Sequence, residues 1–199
     1  MSSFPDLKSL RKQSRQKRRK LTPYQQRRAA LELFHRVRRQ PWFRFSRNLS
    51  FYQAGDGEID PTLLFRLACK RGKKCYLPVM SRLGPARLRF IRYRPGDRLR
   101  RRQMHVLEPR IRIRNLLQPW ALRLVLMPLV VFDANCNRVG MGKGYYDRTF
   151  AFKKRGKRKR PVLLGLAHEC QRVEKLQPAP WDVQLDAIAT PVRIYQAGP

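Results

Sequence analysis

The chain has 199 residues, of which 46 are Lys or Arg and 13 are Asp or Glu, for a formal net charge of +33. Hydrophobic content of 42% with 10% aromatic residues excludes disorder, and no apolar run reaches the ~20 residues that span a bilayer. The charged N-terminal segment lacks the apolar stretch of a secretory signal. Cys69, Cys75, Cys136 and Cys170 show no CxxC spacing and only three histidines are present, so a zinc site is excluded and reduced thiols in a cytoplasmic protein are expected.

In chain order, residues 4–20 form a basic segment of helical character. Thr22, Pro23 and Gln25 spell a capping box with proline at the first helical position. The helix they open carries Ala29, Leu33 and Val37 on one stripe, with Ala30 and Phe34 beside it, and ends before Pro41. A strand is expected at residues 48–52. Asp60-Pro61 then caps a helix over residues 62–71, which Gly72 stops.

Strands follow at residues 74–79 and 88–93, the latter ending at Pro95-Gly96-Asp97. Residues 122–131 are almost wholly apolar, as for a strand buried on both faces. A helix starts near Gly144, and residues 162–167 and 187–194 are the last two strands. Strands alternating with helices predict an α/β fold: three-layer, a mostly parallel sheet with helices on both faces, Rossmann-like, and a single domain over 1–199. The basic N-terminal helix (4–20) and a basic loop (153–160) are parts of it. Ligands in such folds sit at the carboxyl ends of the strands.

The segment at that place reads Arg138-Val-Gly-Met-Gly-Lys-Gly-Tyr-Tyr-Asp147. Alternating Gly140, Gly142 and Gly144 leave backbone N–H groups open to a ligand. Lys143 and Arg138 add positive charge, and Asp147 offers an oxygen to a hard cation. A bare GxGxG is as well explained by a turn; the Lys, the Tyr pair and the Asp at fixed offsets point instead to a nucleotide or polyphosphate. The loop is not a Walker A motif, because Lys143 precedes Gly144 rather than Ser or Thr. Nor is it GxGxxG, because its third glycine comes one residue early.

This segment resembles the signature of the 5-formyltetrahydrofolate cyclo-ligase (methenyltetrahydrofolate synthetase) family. The resemblance extends to Lys8-Ser-Leu-Arg11, Gly57-Glu58-Ile59-Asp60, Gly72-Lys73, Phe132-Asp133, Gly165-Leu-Ala167 with Gln171, and Asp182-Val-Gln-Leu-Asp186. It covers about residues 7 to 195, loosely over 81–120. Val139 stands where Leu is usual. Cys136 stands where Gly is common, in a turn that requires a positive φ better suited to Asn135 or Asn137.

The resemblance implies a ligase that closes 5-formyltetrahydrofolate to 5,10-methenyltetrahydrofolate with ATP and Mg²⁺, releasing ADP and phosphate. It implies catalytic roles for Lys143, Arg138 and Asp147. ATP would be held by Lys8, Arg11 and the loop residues Arg138, Val139, Gly140, Met141, Gly142, Lys143, Gly144, Tyr145 and Tyr146. Folate would meet Gln53, Glu58, Met141 and Tyr145, and the metal Asp147 and Asp186. Asp133 is read as ordering its turn, and His35, His105 and His168 as structural.

The competing reading is a nucleic-acid-binding protein on an α/β scaffold, since +33 exceeds what an ATP site requires. The runs at 15–20 and 153–160 are the densest. No RNA- or DNA-binding signature is visible and the cations are spread along the chain, so the enzyme is the main reading, with non-specific polyanion association through the basic surface as a further property. A monomer that engages no membrane is expected, and the 153–160 run is expected to be a solvated loop.

Overall fold

In a computed structural model of the chain, the structure describes residues 6–81, 86–101, 107–109, 113–155 and 160–198. The elements are α1 (Leu7–Arg19), α2 (Pro23–Val37), α3 (Pro41–Arg44), β1 (Asn48–Ser50), α4 (Thr62–Lys70), β2 (Lys74–Met80), β3 (Leu88–Arg92), β4 (Leu99–Arg101) and β5 (Leu107–Pro109). They continue with β6 (Leu116–Leu117), β7 (Leu124–Pro128), β8 (Val131–Phe132), β9 (Arg138–Val139), α5 (Tyr145–Phe150), β10 (Val162–Leu166), β11 (Ala187–Ala189) and β12 (Ile194–Gln196). Asp6 caps α1 through the Ser9 amide, and Thr22 and Gln25 form the expected capping box on α2. Asp60 accepts from both the amide and the hydroxyl of Thr62 at the head of α4.

One eight-stranded sheet runs β12-β11-β10-β7-β1-β2-β3-β6. The five central strands are parallel; β3, β6 and β12 are antiparallel additions at the two edges. Period-two alternation makes both faces core. Leu124 and Leu126 of β7 pack on one side with Leu33 and Val37 of α2 and Leu64 and Ala68 of α4. Val125 and Met127 pack on the other with Phe150 of α5, Val183 and Leu185. Each such fully buried aliphatic side chain contributes about 1.5–3 kcal/mol.

Two strands differ from the sequence reading. The apolar run 122–131 is not one strand, because β7 stops at Pro128 and β8 pairs with β9 instead. The carbonyls of Leu129 and Val130 leave the ladder to accept from the Gln171 amide side chain at 2.8 and 2.9 Å. Residues 187–194 form a hairpin rather than a strand. Thr190 Oγ1 accepts the amides of Val192 and Arg193, and Pro191 has no donor for a ladder.

The topology fixes where a ligand can enter. From β1 the chain crosses to β2 on one side, then returns to β7 on the other and continues outward to β10 and β11. The order reverses between β1 and β7, so a crevice opens outside their carboxyl ends. The segments leaving those ends are residues 51–60 and 129–144.

Candidate active site

The crevice is bridged by Arg18 of α1, which is fully buried. Its guanidinium donates to the Asp56 carboxylate at 2.8 Å and to the Asp56 carbonyl at 2.8 Å, both beyond β1, and to the Leu129 carbonyl at 3.4 Å, beyond β7. A buried cation survives only when paired and hydrogen-bonded, and Arg18 is both. Burial pushes the Asp56 pKa up, but hydrogen bonds from Arg19, Arg15 and Arg18 outweigh it and hold the carboxyl at about 2. Arg18 thus ties the two walls of the crevice together. Among eight cations in α1 and the residue after it, nothing in the sequence marks this one.

Glu58 lies on the same wall, 3.8 Å from Arg18 and accepting the Gly55 amide at 3.2 Å. Burial raises its pKa against the pull of Arg18. Tyr52 and Tyr146 are close enough for the Glu58 charge to add to the effect of burial in raising both phenols well above their ordinary values. Glu58 is thus a half-sheltered acceptor edged by two protonated phenols, an arrangement suited to N–H donors on a flat polar ring. Gln53 is exposed at the mouth of a small recess formed with Phe51, Tyr52, Phe65 and Tyr93.

Across the crevice lies the glycine loop. Gly142 (φ +90°) and Gly144 (φ +62°) take left-handed conformations that side chains avoid, and these turn the loop sharply into α5. Arg11 of α1 donates from Nε to the Gly140 carbonyl at 2.8 Å, and its guanidinium packs against Gly142. Arg148 holds the loop from the other side, donating to the carbonyls of Lys143 and, at 2.9 Å, of Ala86. Met141 and Lys143 are exposed, Tyr145 lies under the Arg148 guanidinium, and Val139 is buried beneath the loop against Val130, Val131 and Leu176. Lys8 is exposed one turn before Arg11. The result is a compact loop of open backbone flanked by the cations Arg11, Lys143 and Arg148, a form that can receive an anion. Arg148 was not singled out from the sequence; its place one turn after the last glycine is the signal that could have found it.

Arg138 and Asp147 form an ion pair at 2.7 Å, with Arg138 almost wholly buried. Oδ1 of Asp147 also accepts the Val183 amide at 3.2 Å, while among the described residues no donor reaches Oδ2. Beside this pair a cleft of about 680 Å³ is lined by Asn137, Arg138, Lys153, Lys154, Asp182 and Gln184. Asp186 stands apart. Its Oδ2 accepts from Lys153 Nζ and from the Leu163 amide, both at 2.6 Å, and no contact joins it to Asp147 among the described residues. The carboxylate that shares the cleft with Arg138 is Asp182.

Lys153 and Lys154 also revise the reading of the basic run. The helix of α5 continues as a 3-10 turn through Ala151–Arg155, so the run does not begin as a loop. Lys153 is pinned by Asp186 and the Pro161 carbonyl, and Lys154 donates to the Pro180 carbonyl. Residues 156–159 lie outside the described residues, as does His105.

Three further residues order the site. Asp133, buried, accepts the amides of Asn135, Asn137 and Leu176 and so shapes the turn between β8 and β9. The positive φ of that turn falls on Cys136 itself (+63°), not on Asn135 or Asn137, because the Cys136 thiol is buried in the core while both asparagine amides point to Asp133. His168 is buried. Its Nε2–H donates to the Gly57 carbonyl at 3.2 Å, and its backbone amide donates to the Gln171 side-chain oxygen at 2.9 Å. Desolvation, with the nearby Arg18 charge, lowers its pKa to about 4 against the support of the Gly57 hydrogen bond. His35 is exposed against Phe34.

No described helix is long and apolar enough to cross a membrane. The model of the 5-formyltetrahydrofolate cyclo-ligase family matches residues 5–191. The 5-formyltetrahydrofolate cyclo-ligase of Escherichia coli K12 is 35% identical over 182 residues, covering 92% of this chain and 98% of its own. That of Haemophilus influenzae is 37% identical over 142 residues, 71% of this chain and 74% of its own. Among solved structures, 5,10-methenyltetrahydrofolate synthetase of Aquifex aeolicus matches with a TM-score of 0.80 at 27% identity, over 96% of this chain and 92% of that one. The synthetase from Mycoplasma pneumoniae matches in fold with a TM-score of 0.72 at 24% identity, over 94% of this chain and 99% of that one. With the glycine loop and the sheltered acceptor facing each other across the β1/β7 crevice, the chain belongs to the 5-formyltetrahydrofolate cyclo-ligase family and is an enzyme of the ligase class.

Proposed function

We propose that the crevice cyclises 5-formyltetrahydrofolate to 5,10-methenyltetrahydrofolate at the expense of ATP, releasing ADP and phosphate. The formyl oxygen is a poor leaving group and must first be phosphorylated; N10 then attacks the activated carbon and phosphate departs. Such chemistry asks a protein for positioning and charge neutralisation more than for bond-making side chains. The observation that carries the reading is the bond from Arg11 Nε to the Gly140 carbonyl at 2.8 Å, which brings the N-terminal helix onto the glycine loop from 129 positions away. Arg11 with Lys8 on one side and Lys143 with Arg148 on the other then flank the phosphates, the open backbone of Gly140 to Gly144 lies between them, and Met141, Tyr145 and Tyr146 close the pocket.

Glu58 accepts from the amino and ring N–H groups of the pterin, and Gln53 sits at the far end of the folate. Arg138, held by Asp147, faces the transferring phosphoryl group from the cleft. Among the described residues no cluster of three or more His, Cys, Asp and Glu side chains exists. That fits a magnesium ion held by one or two carboxylates plus phosphate oxygens and water, not an all-protein cage. Oδ2 of Asp147 is open for it. Of the two candidate second carboxylates, Asp182 already lines the cleft, whereas Asp186 would have to release Lys153. When bound, Mg²⁺ neutralises phosphate charge as it moves to the leaving group. The enzyme acts as a cytoplasmic monomer in this reading.

The test is formation of the methenyl product by absorbance, with ADP counted in parallel, using nucleic-acid-free protein. One ADP per product, and no product without ATP, is expected. Product without nucleotide consumption would sink the phosphorylation step, and none with every component present would sink the assignment.

A further inference from the structure

The amino ends of the central strands, opposite the crevice, carry a group of exposed cations. Arg47 immediately precedes β1, Lys74 begins β2, Arg123 precedes β7 and Arg160 lies two residues before β10. These positions are neighbours, joined by backbone hydrogen bonds at the ends of the ladders. The Lys74 amide donates to the Arg47 carbonyl at 2.7 Å, the Arg123 amide to Asn48 at 2.9 Å, and the Val162 amide to Arg123 at 3.0 Å. The registers align Asn48, Lys74, Arg123 and Pro161, so Lys74 and Arg123 project from one face of the sheet and Arg47 and Arg160, one residue earlier, from the other; the cations flank this edge on both sides. All four are exposed, as is Arg44 beside them, and none has a carboxylate partner among the described residues.

Two aromatic rings lie among these cations. Phe45 is 76% exposed between Arg44 and Arg47, with the Arg44 guanidinium 5.6 Å from its centroid. Trp120 is 51% exposed in the turn whose Ala121 carbonyl accepts from the Asn48 side chain at 3.1 Å. The underlying frame is rigid: Lys73 Nζ clamps the carbonyls of Arg44 and Ser46, both at 2.6 Å. Unpaired cations gathered at one end of the sheet would attract any polyanion. Exposed rings interleaved with them add a partner for flat bases, and that combination is how single strands are held without sequence preference.

We infer that this edge is a second binding surface, for single-stranded nucleic acid, separate from the catalytic crevice. Phosphates lie along Arg44, Arg47, Lys74 and Arg123, and bases stack on Phe45 and Trp120. Neither ring would be needed by a merely electrostatic attraction, which is what makes the surface testable.

The experiment is fluorescence anisotropy of a labelled oligouridylate of roughly 12 nucleotides, a length within the usual site sizes, with full-length nucleic-acid-free protein at several salt concentrations. Replacing Arg44, Arg47, Lys74 and Arg123 by Ser should weaken binding by at least ~10-fold and flatten the log–log salt slope by about 2–3, near 0.7 per phosphate released. Removing four exposed cations elsewhere, Lys12, Lys17, Arg27 and Arg39→Ser, should change it much less. Phe45→Ala with Trp120→Ala keeps every charge and should still cost about fivefold or more. Cyclisation should be unchanged in all three variants, with oligouridylate neither inhibiting it nor competing with folate. Equal losses from the two sets of cations, or no effect of the aromatic pair, would reduce the surface to bulk charge and overturn the proposal. So would tighter capture of anionic phospholipid vesicles than of the oligonucleotide.

Discussion

His168 makes stability depend on pH between the ordinary histidine value and about 4. The neutral ring is held by Nε2–H, which donates to the Gly57 carbonyl, a group that can only accept. A second proton would place a poorly solvated cation near buried Arg18. The folded pKa is therefore lowered from 6.5 to about 4, with desolvation the largest cause. A group whose folded pKa is depressed below its unfolded value favours the native state fully above pH 6.5, and that preference is lost as pH falls toward about 4. The slope is about 1.4 kcal/mol per pH unit, so roughly 2 kcal/mol should be lost by about pH 5. For a chain of this size that lowers Tm by about 4–8 °C. Glutamine can donate to the Gly57 carbonyl but cannot titrate. Thermal melts of wild type and His168→Gln from about pH 7.5 to 5 should therefore diverge, the wild type falling faster. Because Gly57 adjoins Glu58, whose own protonation weakens pterin binding in both proteins, the folate KM should rise more steeply in the wild type over the same window. Parallel stability profiles would show that His168 is not buried as a neutral ring.

Asp147→Asn should lower turnover by about 10² or more and raise the magnesium requirement, while costing about 1–3 kcal/mol in stability, because nearly buried Arg138 loses its carboxylate. Normal turnover at limiting magnesium would contradict the metal role. Asp182→Asn should likewise raise the magnesium requirement, whereas Asp186→Asn should reduce Tm through loss of the Lys153 and Leu163 contacts and leave the magnesium titration in place; the reverse pattern would return the metal to Asp186. Glu58→Ala should raise the folate KM at least ~10-fold, since pterin donors lose a charged acceptor, with nucleotide affinity by calorimetry near wild type. Loss of nucleotide binding with folate binding intact would invert that assignment.

The sequence was most legible where one local rule decides the backbone. The Thr22–Gln25 capping box, Gly72 after α4 and the glycines before α5 are local devices, and each element lies where they place it. Apolar runs located the buried strands but not their ends, since burial continues past Pro128 after the ladder has stopped. The break at Leu129–Val130 is made by Arg18 and Gln171, more than 40 residues away on either side, and no window along the chain contains it. Thr190-Pro191 did carry a local signal, a hydroxyl cap followed by a residue with no donor, hidden by the apolar residues flanking it. The functional cations were hardest to read. Arg11 and Arg18 lie two turns apart in one basic helix, and only their contacts show that one faces the glycine loop and the other is sealed between β1 and β7.

Those contacts also separate the charge into parts with different consequences. Asp56, Glu58, Asp133, Asp147 and Asp182 all lie in or beside the crevice end of the sheet, where they accept from buried arginines and from backbone amides. The crevice is therefore much closer to neutral than the composition implies, and its affinity for phosphate must come from a few oriented groups: Arg11, Lys143, Arg148 and the open loop amides. Among the described residues the opposite end carries Asp186, which Lys153 already neutralises, and Asp97 in the turn that follows β3. A five-residue strand such as β7 separates the two ends by about 17 Å, roughly two Debye lengths at physiological salt. Cations at Arg47, Lys74 and Arg123 are thus screened from an anion bound at the loop. Neither substrate steering nor phosphate neutralisation explains them, and a ligand of their own accounts for a group that the crevice does not use.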